Sequence, residues 1–500
     1  MSEATEKTEL VRRSRPAVSS AASAGGDDDK DGPTIKVGEV IDALGVGRFQ
    51  ALLTVFAGLL LLGESMGITL IGIVGRTIQC QWQLPNLRLA IFSLAIFMGF
   101  LLFCPLWGFL ADQHGRRGVM ILGMAFTGYY MLISALSPSF EWLVFLRTVA
   151  GAFMATTPQG LVYMVECCPA TARAYLLNIG FVVWSVGPVL ELAVALGLNA
   201  AGVGNETWRI LVILSALPII GSCGAYWLVP ETPRFYLVHG QMDKCKASLR
   251  HIARVNGRES DFDWDKLRIS QEAKTAEAPR VKWLFSRRLR SLTLGLAAIS
   301  FLTNFTYYGG VLFAQQLVQE SGMSNSVAEV LQSSCGGADC RPLSQRDYVN
   351  LLVTALSEVP GTVIALSVSA YLERRRMLQV TAGLAGGFTL LLMLSSLAPR
   401  SAPLLVSLLF FARGSAVVTI NISNIYAPEA FPTRVRALGV GLIQLTGKCG
   451  CILTPLIAQV VMPASRIAGL VVYAGAFVVV VLLAAFCLSR ETKDADLEDH

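Results

Sequence analysis

The stretch ECCPATARA, residues 166–174, returns as EAFPTRVRA at residues 429–437. Both copies fit E-x-x-P-x-x-x-R-A, with Glu166 and Arg173 in the first and Glu429 and Arg436 in the second. Three more pairs repeat at nearly the same offset, about 260 residues. GFLADQHGRR, which holds Gly108, Asp112, Arg116 and Arg117, has a worn counterpart in SAYLERRRM with Glu373. Arg147 of LVFLRTVAG recurs as Arg413 of LLFFARGSA, and PETPRF at Glu231 is echoed by RETKDA at Glu491. Four pairs at one spacing identify the second half of the chain as a copy of the first.

Each copy is built from apolar runs long enough to cross a bilayer, for which about 20 residues suffice. The first six fall near residues 50–75, 88–111, 118–137, 141–165, 175–198 and 208–229. The second six fall near 291–318, 347–371, 377–397, 402–426, 436–460 and 467–489. The chain of 500 residues is 53% hydrophobic and only 15% charged, with a mean hydropathy of +0.56. This is the composition of a polytopic membrane protein. The expected organisation is a disordered tail (1–35), a six-helix half (36–229), a polar connection (230–290), a second six-helix half (291–489) and a short tail (490–500). An even number of spans gives both halves the same orientation, related by an axis along the membrane normal. That is the plan of transporters whose substrate site lies at the midplane between repeats.

Lys and Arg in short connections set orientation. Arg116, Arg117, Arg173, the series from Arg234 to Arg290, Arg374 to Arg376, Arg434 and Arg436 all fall on one side. Both termini are therefore expected in the cytoplasm. The net charge of +6 is accounted for by these loops and does not imply a nucleic-acid partner. Most of the 11 cysteines lie in apolar segments; Cys80, Cys335 and Cys340 stand on the opposite, oxidising side, where one disulfide can form with the choice of pair open. No nucleotide cradle, metal cluster or catalytic triad is visible, so neither an enzyme nor a cofactor is expected.

GFLADQHGRR resembles the signature loop of the major facilitator superfamily, between its second and third spans. YAPEAFPTRVRALGVG, PETPRF and LSEVPG are similar to the organic-ion transporters and to the synaptic vesicle proteins. Only about a dozen residues separate the first two spans, so the large loop usual in organic-ion transporters is missing. VGEVIDALGVGRFQ, CQWQLP, FVVWSVGPVLEL and NFTYYGGVLF resemble most the synaptic vesicle protein-related branch. The first span departs from that branch's paired acids: GESMG keeps Glu64 but has Gly67 at the second position. The resemblance implies twelve helices in two parallel repeats, with substrate held in a cavity between them. It also implies gating by the charged loops at Gly108, Asp112, Arg116, Arg117, Glu166, Arg173, Glu373, Glu429 and Arg436, to which Arg147 and Arg413 are added.

A charge near the middle of a spanning helix costs about 2.5–3.5 kcal/mol on insertion scales and so calls for a partner or a function. Glu64, Glu191, Glu358 and Lys448 are such residues, and the cavity plan lets all four face one chamber. Lys448 suits a carboxylate- or phosphate-bearing ligand; as a structural alternative it pairs with Glu358 or Glu191. Three acids against one lysine leave a carboxylate free to take a coupled proton. Asn304, Tyr307 and Tyr308 are candidates for orienting hydrogen bonds, or else core residues. The function expected is secondary transport of a small organic anion or zwitterion across a vesicle or plasma membrane, with coupled protons or a counter-ion. A receptor or vesicle component that has kept the fold but lost transport is the alternative. Nothing in the sequence sets the oligomeric state.

Overall fold

The computed structural model describes residues 35–227, 229–265, 267–270, 281–287, 289–322, 343–369, 372–395, 402–432 and 435–488. Inside a bilayer each backbone N–H and C=O must be satisfied within its own segment, and the apolar runs answer with helices. A short helix, α1 (Val37–Leu44), leads into α2 (Arg48–Trp82), α3 (Asn86–His114), α4 (Arg116–Ser134), α5 (Phe140–Met154), α6 (Thr157–Cys167), α7 (Ala170–Ala200) and α8 (Thr207–Trp227). The connection contributes α9 (Pro233–Val238) and α10 (Met242–Val255). The second half comprises α11 (Arg290–Gly322), α12 (Gln345–Leu356), α13 (Glu358–Ser369), α14 (Arg374–Ser395), α15 (Ala402–Ala430), α16 (Arg436–Leu456) and α17 (Arg466–Phe486).

Among the described residues, 10 helical segments are long and apolar enough to cross a membrane, counting Gln345–Val368 as one. The two other expected spans are occupied by α4 and by α5 with α6. The latter pair is broken at Ala155 and Thr156, just before Pro158. The eighth span is likewise divided at Ser357, where α12 stops and α13 starts on Glu358.

The internal repeat is visible in the packing. α2 lies against α7 as α11 lies against α16; α4 lies against α8 as α14 lies against α17; α3 crosses α5 as α12 and α13 cross α15. Small residues permit these crossings, because apolar helices in lipid associate through close backbone packing. A Cβ on Gly151 would stand 2.1 Å from the Ile96 carbonyl oxygen, and one on Gly99 would stand 2.0 Å from that of Thr148. In the second half, Gly414 faces Ser357 and Gly361 faces Gly414. Gly187 against Ser65 and Gly450 against Phe301 repeat the same device at the α2–α7 and α11–α16 crossings. Gly151→Ala should therefore force α3 and α5 apart and cost about 1–3 kcal/mol. Gly197→Ala, which meets nothing within 4 Å, is the control. Melting temperatures of the two variants in detergent check this, and equal values would contradict it.

The connection folds back on the first half. The Asp42 carboxylate of α1 accepts a hydrogen bond from Ala170 N (2.7 Å) at the start of α7, where the helix dipole favours an anion. Arg258 Nη1 donates to the carbonyls of Ala43 and Leu44 (2.9 and 2.8 Å). Asn256 accepts from Phe49 N (2.9 Å) and donates to Gln50 Oε1 (3.0 Å), while Gln50 Nε2 donates to Cys167 O (3.1 Å). Apolar residues of α1 and α10, including Val40, Ile41, Leu249 and Ile252, share one core with α2 and α8. Ile35, the first described residue, forms an isolated parallel bridge with Ile269 of the connection.

Candidate functional site

Among the described residues, the mid-membrane charges named from the sequence fall into three separate groups. In the first, Lys448 Nζ on α16 lies 3.8 Å from Glu64 Oε1 on α2 and 4.2 Å from the centroid of the Phe100 ring on α3. The lysine belongs to the second half and both partners to the first. Its side chain retains 13% exposure and that of Glu64 retains 7%. The expected structural partners of Lys448, Glu358 and Glu191, are not the ones it has. Each of those acids has an arginine of its own instead.

The second group lies wholly within the second half. Arg413 Nε on α15 donates to Glu358 Oε1 at 2.6 Å, and the Tyr307 hydroxyl on α11 donates to Glu358 Oε2 at 3.1 Å. The break at Ser357 places Glu358 in the first turn of α13, and Pro360 is tolerated in that turn because its missing N–H would be unpaired there. Both carboxylate oxygens are thereby satisfied at zero solvent exposure. Sequence reasoning assigned Arg413 to gating; the structure places it here, as the counter-ion of Glu358. The third group is Arg147 on α5 with Glu191 on α7, both fully buried, which interact through charge without a hydrogen bond on any of their five polar atoms.

Asn304 turns toward its own helix: Nδ2 donates to Ser300 O at 2.8 Å, and Oδ1 faces Cys451 Sγ at 3.7 Å. It packs α11 against α16 beside Gly447. Tyr308 stacks edge-on against Phe97 of α3, with centroids 5.3 Å apart. Of the aromatic and amide residues singled out in the sequence, Tyr307 hydrogen-bonds a carboxylate, and Tyr308 lies near enough to Glu64 and Glu358 to feel their charge.

The loop charges form two matched clusters at the end of the bundle that carries α1. In the first half Arg116 bridges Glu166 (3.0 Å) and, more loosely, Asp112 (3.7 Å). Arg117 caps the last turn of α8 through the carbonyls of Tyr226 (3.3 Å) and Trp227 (2.7 Å). Glu231 accepts from the backbone N–H groups of Arg116 and Arg117 at 3.1 and 3.0 Å, fixing the start of α4 after Gly115, whose φ of +95° suits glycine. Burial pushes the Glu231 carboxyl up from its ordinary value, against the backbone donors that favour its charged form. In the second half Arg374 pairs with Glu429 (3.4 Å), and Arg375 donates to the carbonyls of Ala484 and Ala485 at the end of α17.

The worn copy in the second half therefore keeps an ion pair and a helix-end cap that match those of the first. Arg374 and Arg375 take the places of Arg116 and Arg117, while Glu373, the counterpart of Asp112, pairs locally with Arg376 at 2.9 Å. Three residues missing between acid and arginines hide this correspondence. Gly108 makes no close approach, since a Cβ there would meet nothing nearer than Gln159 at 3.9 Å. Arg173 donates to Cys168 O (3.4 Å) and Arg436 to Phe431 O (3.2 Å), so each holds the turn preceding its own helix. Cys80 is disulfide-bonded, while Cys335 and Cys340 lie outside the described residues.

At the opposite end of the bundle the two halves touch. Gln459 Nε2, in a π-helical stretch from Ile457 to Val461, donates to Ser93 Oγ of α3 at 2.8 Å. Gln315 of α11 packs on Gly72 of α2. Nearer the middle, Ser185 of α7 and Thr362 of α13 share a hydrogen bond of 2.7 Å.

Comparison with known proteins agrees with this architecture. Residues 49–500 match the family model described as sugar (and other) transporter. Synaptic vesicle 2-related protein of Bos taurus is 31% identical over 468 residues, which cover 93% of this chain and 83% of that protein. The Xenopus laevis protein of the same name is 30% identical over 469 residues, with 93% and 83% covered. Among solved structures, the inward-open xylose transporter XylE from E. coli superposes with a TM-score of 0.66 at 15% identity, over 90% of this chain and 98% of that one. The chain is a multi-pass membrane transporter, and it belongs to the sugar (and other) transporter family of the major facilitator superfamily, among the relatives of synaptic vesicle 2-related protein.

Proposed function

We propose that the protein is a secondary transporter of a small organic zwitterion, working by alternating access between its two halves. The observation that carries this reading is the Lys448–Glu64 pair. It spans the halves, retains some exposure, and presents one positive and one negative charge to a single ligand. A ligand with both a carboxylate and a cationic nitrogen can part the pair and leave neither charge alone. A simple anion leaves Glu64 unpaired in a low-dielectric site unless a proton arrives with it, because an unmatched buried charge is costly. An anion carried with a proton is the second reading, supported by the same charge count and by a structural neighbour that is a D-xylose–proton symporter.

The Ser93–Gln459 hydrogen bond and the packing of Gln315 on Gly72 close the far end of the bundle, and the latches at Arg116 and Arg374 hold the ends of helices within each half. We take the side carrying the termini to be cytoplasmic and the state described to be inward-facing. In the outward-facing state Gly108 and Asp112 come against the other half. The relatives' names favour a vesicle membrane. A screen of melting temperature against small organic anions, cations and zwitterions tests the substrate class. Stabilisation by zwitterions, absent in Lys448→Ala, is expected; stabilisation by cations alone would overturn the reading.

A further inference from the structure

The surroundings of Lys448 resemble a receptor for a cation. Its ammonium has a carboxylate at 3.8 Å on one side and an aromatic face at 4.2 Å on the other. A carboxylate beside an aromatic face is how alkylated ammonium groups are recognised, since the ring's negative face attracts a cation that is only weakly hydrated. Phe100 is 4% exposed and Glu64 5%, so the subsite is built into α2 and α3 and is shielded from bulk water, where such attraction is strongest. Neither residue belongs to the half that supplies the lysine.

We propose that Phe100 and Glu64 form an onium subsite that Lys448 occupies in place of ligand, and that the transported zwitterion carries a quaternary or alkylated ammonium. This rests on the zwitterion reading above and narrows it. On binding, the ligand's carboxylate draws the Lys448 ammonium off the ring and away from Glu64. The ligand's ammonium then takes the vacated place between Phe100 and Glu64. Two opposite charges enter, two opposite charges receive them, and no proton moves. The exchange also couples ligand to conformation, because the lysine that crosses between the halves is replaced by a molecule held from both.

Two measurements on the full chain in nanodiscs test the subsite. The first uses glycine betaine and 3,3-dimethylbutanoate, which share shape and carboxylate but differ in the charge of the quaternary centre. The wild type should bind the betaine at least tenfold more tightly, and Phe100→Leu should remove roughly three- to thirtyfold of that preference, the range of a cation–π contact. Phe100→Tyr should keep it. Equal affinities for the two probes in the wild type would overturn the onium subsite while leaving Lys448 as a carboxylate anchor. Binding of neither probe, with Lys448→Ala indifferent to both, would overturn the zwitterion reading itself.

The second measurement uses tetramethylammonium, a cation without a carboxylate. Wild type, with the subsite filled by its own lysine, should bind it weakly or not at all. Lys448→Ala should gain binding, and adding Phe100→Leu should abolish the gain. Melting temperatures and gel-filtration profiles establish that the variants are folded. A folded Lys448→Ala that fails to bind tetramethylammonium would overturn the proposal.

Discussion

Lys448→Ala is expected to abolish carboxylate binding while leaving the bundle folded. A charge-assisted contact to a buried anion is worth about 1.5–3 kcal/mol, or roughly ten- to a hundredfold in affinity. The stability cost should be smaller than that of breaking a hydrogen-bonded pair, because Glu64 lies 3.8 Å away, a looser contact, and a carboxyl buried without a partner can take up a proton instead of staying charged. Lys448→Arg keeps the charge but spreads it over a planar fork. It should preserve the preference for carboxylates with altered affinity. Lys448→Glu sets two carboxylates together and should repel anions. Binding of one carboxylate and one cationic probe, measured with melting temperature for all three variants, decides between anchor and strut. Equal losses for both probes that follow a fall in melting temperature would make the lysine structural.

The opposite result is expected at the second charge group. Glu358→Ala should destabilise the protein by about 3–5 kcal/mol, the usual cost of removing one member of a buried pair. Arg413 would then keep its charge with no counter-ion, and the Tyr307 hydroxyl would lose its acceptor. Arg413→Ala should cost a similar amount, and the double variant Glu358→Met with Arg413→Leu should recover much of the loss, since no orphaned charge remains. Thermal or denaturant unfolding of the three variants checks this. If Glu358→Ala melted like the wild type but failed to bind ligand, Glu358 would belong to the substrate site and the division drawn here between anchor and scaffold would fall.

Much of this architecture is legible in the sequence because the repeat is written in residues with fixed physical duties. The E-x-x-P-x-x-x-R-A copies mark helix junctions, and the apolar runs announce their lengths. The glycines at 99, 151 and 187, with their counterparts at 361, 414 and 450, repeat as faithfully. They pass unnoticed because a lone glycine in an apolar run carries no sign of what it touches. The breaks at Ala155 and at Ser357 are marked only by a nearby proline, a cue equally compatible with a kink.

The candidate site was legible as a list of buried charges but not as a set of pairs. Pairing depends on which helix faces which, and hydropathy does not encode helix rotation. Glu64 was found but not matched to Lys448, since more than 380 positions and the junction of the halves separate them. Arg413 was identified by its repeat with Arg147, and that symmetry obscured the difference between them. The first has a carboxylate at 2.6 Å, whereas the second has no hydrogen-bond partner. Phe100 carried no signal at all, because an aromatic residue in an apolar helix is ordinary until a cation is seen above it.

The central claim, that the Glu64–Lys448 pair is a transport site for zwitterions, is tested most directly by uptake from a mixture. Proteoliposomes containing wild type or Lys448→Ala are incubated with a cell extract, washed, and their contents compared by mass spectrometry. The account predicts that one or more solutes bearing both a carboxylate and an alkylated ammonium accumulate with the wild type and not with the variant. Folded wild-type protein that accumulates no solute beyond the level of the variant would contradict it.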